Sequence, residues 1–277
     1  MEIIDIIKES FIFPSKNLGK LGIYFILILI VGLITTGGMV TSIYALTQQH
    51  FPIVGIIAFT VTFIVGFIIS GYQIHIMKSG IDSDEKAPSF EWENDLINGI
   101  KLLILGIVYM IIPAVILLIV GIATNIPGQF IDIMEKIALS PANATAIVSS
   151  SDYVLSTIPE ATKAAFGTSI AITTIIGIVL LVIFSFLETM GEARLANTGS
   201  LLEAANVFEA FNDMKRIGIG KVIAVILLIV LISAVINAIL GYLYGQIPQL
   251  SILSFLVSSY LVFFSQRAKG LLYSDIA

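Results

Sequence analysis

Four stretches of this chain contain no Asp, Glu, Lys or Arg: Leu21–Met77, Leu102–Ile131, Ala164–Leu187 and Val222–Gln266. About 20 apolar residues cross the hydrocarbon core of a bilayer. The second and third stretches suit one crossing each. The first and fourth are long enough for two, and each breaks at polar turn residues: Gln48-Gln49-His50 ahead of Pro52, and Gly245-Gln246-Ile247-Pro248-Gln249. The sequence therefore predicts six spans, at about 21–45, 52–77, 101–123, 164–187, 221–244 and 250–266. In lipid every backbone N–H and C=O must bond internally, so continuous spans are helices. The unbroken apolar runs exclude the alternating pattern of a membrane β-barrel. Only 12% of residues are charged, about half the share of a soluble domain. The expected fold is an all-α integral membrane protein, one membrane domain over 1–277.

The basic residues set the expected orientation, because Lys and Arg collect on the cytoplasmic side. Lys8, Lys16 and Lys20 precede the first span, and Lys78, Lys86 and Lys101 lie between spans two and three. Arg194, Lys215, Arg216 and Lys221 lie between spans four and five, and Arg267 and Lys269 follow the last. These four segments share one side. Only Lys136 and Lys163 fall opposite, in the outer loop 124–163. Both termini are thus expected in the cytoplasm and the chain in the cell membrane. Glu2, Asp5 and Glu9 ahead of a long apolar run argue against a removable signal peptide. With no cysteine, disulfides and thiolate chemistry are excluded.

Two segments on the cytoplasmic side nearly repeat. Phe90-Glu91-Trp92-Glu93-Asn94-Asp95 matches Phe208-Glu209-Ala210-Phe211-Asn212-Asp213 at four places, and a Gly and a Lys follow each copy (Gly99 and Lys101, Gly220 and Lys221). Each copy lies in an amphipathic stretch. In 89–98, Phe90, Leu96 and Ile97 oppose Glu91, Asn94 and Asp95. In 201–216, Leu201, Ala204, Val207, Phe208, Phe211 and Met214 share a face by helical spacing. Ser200 with Glu203 forms a capping box that starts this helix. In 1–20 the apolar Ile3, Ile4, Ile7, Phe11 and Phe13 interleave with Asp5, Lys8 and Glu9, and Pro14 breaks the helix. Such helices lie in the membrane interface. The pattern predicts three parallel repeats, 1–80, 81–199 and 200–277, each an elbow helix followed by a two-span hairpin. The first resembles the others in plan only. In the outer loop, Phe130, Ile131, Met134 and Ile137 suit a short amphipathic helix, and Tyr153, Leu155 and Ile158 another. Asn143-Ala144-Thr145 is a glycosylation sequon there.

No strong catalytic motif is present, and no acid or base falls in the interior of any predicted span, where ion-coupled transporters and pumps place them. The two acidic faces, Glu91, Asn94 and Asp95 and Glu209, Asn212 and Asp213, are the sharpest candidates. They could hold a divalent cation or a basic partner; a solvated face near helix starts is the favoured reading. Ser233, Asn237, Gly241 and Gly245 line one side of span five. A polar path is possible there, but small residues at this spacing usually mark a close helix contact. Gly66 and Ser70 form a shorter patch. His50 and His75 are single and read as packing and hydrogen-bonding residues rather than ligands. Trp92 suits an interfacial anchor, and Pro113 a kink in span three. No cofactor, metal or catalytic residue is predicted.

Ser70-Gly71-Tyr72, Ala87-Pro88-Ser89-Phe90, Asp95, Gly99, Lys101 and Tyr109, with Leu201–Lys221 and Arg267–Tyr273, resemble the archaeal membrane family called domain of unknown function 4013. The plan is more distantly similar to bacterial multi-pass families with an elbow before each hairpin. The resemblance implies an integral protein of an archaeal cell envelope and supplies no active site. The sequence thus favours a non-enzymatic envelope scaffold or an assembly or lipid-organising factor. Its partners would be the lipid bilayer and other membrane proteins or copies of itself, not nucleic acid. A transporter or channel-like facilitator for a small or lipidic solute is the alternative, and an intramembrane enzyme the least favoured class.

Overall fold

The computed structural model describes residues 1–48, 50–138 and 158–277. Asn143, Tyr153 and Leu155 lie outside them. The described residues contain no strand. The helices are α1 (Ile3–Lys16), α2 (Leu18–Thr47), α3 (Ile53–Ile81), α4 (Trp92–Ala123), α5 (Ile126–Ala138), α6 (Glu160–Thr198), α7 (Leu201–Ala204), α8 (Val207–Ile217), α9 (Ile219–Gln246) and α10 (Leu253–Tyr273), with a 3-10 turn at Pro248–Ile252 before α10. Six of them, α2, α3, α4, α6, α9 and Gln249–Tyr273, are long and apolar enough to cross a bilayer. Their outward side chains, among them Leu33, Tyr44, Phe59 and Val230, are exposed and apolar. Apolar surface on this scale fits lipid rather than water. The chain is a multi-pass membrane protein.

The helices outrun the apolar stretches. α6 has 39 residues, roughly 58 Å at 1.5 Å per residue, against a hydrocarbon core of about 30 Å. It continues past Leu187 through Glu188, Glu192 and Arg194. α10 likewise runs beyond Gln266 through Arg267 and Lys269 to Tyr273. Charged residues expected in connecting segments therefore ride on the rigid ends of spans.

The elbows differ from their predicted form in three ways. Pro14 does not end α1, which runs to Lys16. The break falls at Asn17, whose side-chain amide donates to Phe13 O (3.0 Å) and Glu85 O (3.2 Å) and accepts from Ala87 N (2.8 Å). The second elbow is not a separate helix, since Trp92 begins α4, which runs unbroken through Pro113 to Ala123. The third is two helices. Ser200 Oγ accepts from Glu203 N at 3.4 Å as a cap, but α7 lasts one turn. Asn206 then caps α8, accepting from Phe208 N (3.1 Å) and Glu209 N (3.2 Å). Asn side chains compete with the helical backbone in this way. The break turns the predicted face: Ala204, Ala210, Asp213 and Met214 are buried, while Leu202, Phe208 and Phe211 are exposed.

The chain divides into two compact units, Met1–Ile107 with Phe186–Ala277, and Val108–Ser185. The second holds the far part of α4, α5 and the first part of α6. Asn125, with a positive φ of 57° that Asn tolerates better than most residues, turns the chain between α4 and α5. Ser169 Oγ donates to Thr124 O at 3.1 Å, and Lys136 Nζ reaches Thr162 Oγ1 at 3.0 Å.

The first unit has a core of Phe13, Leu21, Tyr24, Ile69, Tyr72, Ile76, Ala87 and Phe263. Two glycine pairs let its helices approach closely. A Cβ on Gly270 would stand 2.1 Å from Met77 O, and one on Gly80 2.8 Å from Arg267 O. A Cβ on Gly71 would stand 1.7 Å from Asp95 O, and one on Gly99 2.0 Å from Phe67 O. Lipid gives no hydrophobic drive between spans, so such close backbone contact supplies the packing. We expect Gly270→Leu to lower the unfolding temperature in detergent by an amount equivalent to at least about 1–3 kcal/mol, the usual cost of overpacking. Gly241→Leu, which has open space around it, should leave the isolated chain nearly unchanged in the same melt.

Candidate functional site

Three bases near the ends of spans meet three elbows. Each base sits on the second span of a predicted hairpin: His75 on α3, Arg194 on α6 and Arg267 on α10. Each faces a Glu and the residue four positions after it: Glu9 and Phe13, Glu91 and Asp95, or Glu209 and Asp213.

Arg267 is 1% exposed. Its Nη2 donates to Glu9 Oε1 at 2.5 Å, and its Nη1 to Ser79 O and Asp84 O, both at 2.6 Å. The guanidinium lies 4.6 Å over the Phe13 ring. One buried cation thus joins α1, the end of α3 and α10. Burying it is tolerable because counter-charge, carbonyls and a ring face all meet it.

Asp95 is fully buried. His75 Nδ1 lies 2.9 Å from its Oδ1, an ion-pair contact without the alignment of a hydrogen bond. Asp95 Oδ2 accepts from the Glu91 backbone N–H at 2.8 Å, at the start of α4. The amide of Asn98 stands 3.3 Å from His75 Nε2.

Asp213 is 1% exposed. Its Oδ2 accepts from Arg194 Nη1 (2.8 Å) and Tyr273 OH (2.7 Å), and its Oδ1 stands 3.5 Å from Arg216 Nη1. Arg194 also approaches Glu209 Oε2 at 3.6 Å. Three bridges lie nearby: Lys269 Nζ to Glu192 Oε2 (2.7 Å), Lys101 Nζ to Gly199 O (2.9 Å) and Lys20 Nζ to Ser89 Oγ (3.0 Å).

The predicted acidic faces are therefore divided. Asp95 and Asp213 point inward and are engaged. Glu91 and Asn94 stay exposed and bond each other at 2.7 Å, while Glu209 is half-exposed. In both copies the Asp four residues after the Glu meets a base on a span, His75 or Arg194. Among the described residues no group of three or more His, Cys, Asp or Glu is arranged to hold a metal ion. The face of Ser233, Asn237, Gly241 and Gly245 does not form the expected helix contact within the described chain. Asn237 Nδ2 donates to Ser233 O of its own helix (2.8 Å), and a Cβ on either glycine would meet open space. An apolar cleft of about 510 Å³ lies instead between α2 and α3, where Thr35 and Thr62 bond at 3.1 Å.

Glu9, Arg194 and Arg267 escaped the sequence reading as site residues; the arginines entered it for orientation and Arg267 also for the family resemblance. A signal was present: His75 stands as far before Gly80 as Arg194 before Gly199. The first elbow carries Phe13 where the others carry Asp, so its contact does not share their pattern.

The model for a protein family of unknown function, DUF4013, matches residues 54–245, more than half of the chain. The chain belongs to the DUF4013 family. The matched DUF4013 region holds His75, Asp95, Arg194 and Asp213, and leaves Glu9 and Arg267 outside it. No curated protein and no solved structure matches the chain.

Two measurements check these contacts. Asp213→Ala leaves Arg194 and Tyr273 OH without their acceptor. It should cost about 1–3 kcal/mol in a detergent melt, the penalty of an unsatisfied buried group, whereas Glu93→Ala should be near neutral. Asp275 accepts from the Met1 amino group at 3.0 Å and pairs with Lys221. Burial works against its charge, but the two ammonium groups outweigh it and hold the carboxyl below its usual range. The stability this adds is present above the unfolded carboxylate value of about 3.9 and fades as pH falls through the depressed folded value. Asp275→Asn should flatten that acid limb of a melting-temperature profile.

Proposed function

We propose that the chain is a non-enzymatic scaffold of the cell membrane, in an archaeal envelope as the family resemblance implies. It has both termini in the cytoplasm and organises other membrane proteins, further copies of itself or lipids. The observation that carries this reading is the use of the charged residues. Asp95 and Asp213, two of the carboxylates the sequence offered for chemistry, hold one segment of the chain to another. Asp95, Asp213 and Arg267 are buried in contacts that link elements.

The same contacts support three parallel repeats. The elbow of the second repeat meets the base on the second span of the first, and the elbow of the third meets the base of the second. The elbow of the first meets Arg267, on the last span of the third. Each elbow then docks on the preceding repeat, and the order closes on itself.

Three outcomes test this. The chain has no cysteine, so single introduced cysteines label without background. Glu93→Cys should react only from the cytoplasmic side and Glu160→Cys only from outside; the reverse overturns the orientation. Phe11 and Phe264 have ring centroids 5.6 Å apart, and cysteines in both places should crosslink within one chain. A crosslinked dimer would overturn closure within the monomer. In liposomes the purified protein should move no solute faster than empty vesicles, and mild-detergent purification should retain a fixed protein or lipid partner. Solute flux above the empty-vesicle rate would sink the scaffold and favour a facilitator.

A further inference from the structure

We propose that the outward faces of α1 and α8 form a docking surface for anionic lipid in the leaflet beside them. This follows from the membrane fold alone and stands whether or not the chain is a scaffold.

Each of these elbows buries one face and leaves the opposite face apolar. In α8, Ala210, Asp213 and Met214 are buried, and at 3.6 residues per turn Phe208, Phe211 and Lys215 fall on the far side. Phe208 is 84% exposed, and Leu202 just ahead of it 88%. In α1, Ile6, Ser10 and Phe13 are buried, and Ile4, Lys8, Phe11 and Ile12 face away. The charges sort in the same way. Glu9 turns to Arg267 and Glu209 toward Arg194. Lys8 and Lys215 stay on the outer faces, with Asp5 at the flank of the first. Lys215 Nζ lies 4.3 Å over the Phe211 ring.

The chain holds both faces at the membrane surface. One residue, Asn17, joins α1 to α2, and one residue, Gly218, joins α8 to α9. The charge-free part of each span begins four residues later, at Leu21 and Val222, about 6 Å along a helix. Phe11 also meets the rings of Tyr260 and Phe264 at 5.6 Å, and both belong to the last apolar span. The outer side of α1 at that level therefore faces lipid. A helix with Phe, Leu or Ile on one face and lysine beside them settles in the interface, its apolar side chains among the acyl chains and its ammonium groups among headgroups. Anionic headgroups add an attraction for each lysine. A soluble partner would have to displace headgroups to reach the same faces.

The test places a reporter on each elbow of the full chain, reconstituted in vesicles of phosphatidylcholine with or without phosphatidylglycerol. Trp92→Phe removes the single tryptophan. In that background Phe208→Trp reports on α8 and Ile4→Trp on α1. Each reporter is read in a chain that melts like Trp92→Phe, and Phe211→Trp replaces Phe208→Trp where the latter melts early. The expected result is emission at short wavelength, loss of emission with brominated lipid and little loss with aqueous acrylamide. Phosphatidylglycerol should strengthen the quenching by brominated lipid, and Lys215→Glu should abolish that gain for the α8 reporter. Quenching by acrylamide but not by brominated lipid places the faces in water and overturns the proposal. Protection from both places a second copy or another protein on them and overturns it equally. Lipid quenching that is the same with and without phosphatidylglycerol overturns the anionic preference.

Discussion

A charged group buried at the end of an apolar helix must bring its counter-charge with it, and the first compact unit is organised around that requirement. Arg267 has almost no access to water. It cannot lose its proton, so Glu9, two carbonyls and the Phe13 ring have to converge on it. That convergence fixes where α1 ends, how the loop after α3 folds back and how closely α10 approaches. The glycines follow from it. Gly270 and Gly80 lie a turn from Arg267 on one side and beside Ser79 on the other, and only backbones that touch allow the guanidinium to reach Ser79 O.

The spans themselves were readable because the bilayer imposes a crude and strong rule. Absence of charge over 20 residues leaves little choice, and all six predicted spans lie within the six long apolar helices apart from a residue or two at their ends. Helix ends were less readable. Composition marks where hydrocarbon stops, whereas a helix stops where its backbone finds other partners. Arg194 and Arg267 looked like loop residues because they are charged, yet their helices persist since the side chains are neutralised by neighbours rather than by water. Asn17 and Asn206 show the converse: short polar side chains ended helices that periodicity alone would have extended.

The two acidic stretches were legible in the sequence, but which of their residues turn inward was not. Helical spacing places Glu91, Asn94 and Asp95 near one another, but spacing cannot say which side meets the neighbour. The partner is remote in sequence and of a different residue type in each copy: histidine, arginine and arginine. A sequence pattern that seeks identical residues misses a contact conserved in charge only. The first elbow's contact was harder still to see, because Phe13 meets its cation through a ring face where Asp95 and Asp213 use carboxylates.

Polar contacts at the ends of spans do work that apolar packing cannot. Inside lipid, a leucine on one helix gains little by leaving lipid for another helix, so apolar faces discriminate poorly between neighbours. A buried carboxylate discriminates sharply, since any wrong neighbour leaves it unpaired at a cost of several kcal/mol. Placing one such contact on each elbow specifies which span that elbow joins, even where the spans are interchangeable in composition. It also sets an order. The bases for the second and third elbows, His75 and Arg194, precede them in the chain. Glu9 comes early and its base, Arg267, lies near the other end of the sequence. The first elbow can reach its partner only after the remaining spans are in place. The contact that buries Arg267, like the Met1–Asp275 pair, therefore joins the two ends of the chain.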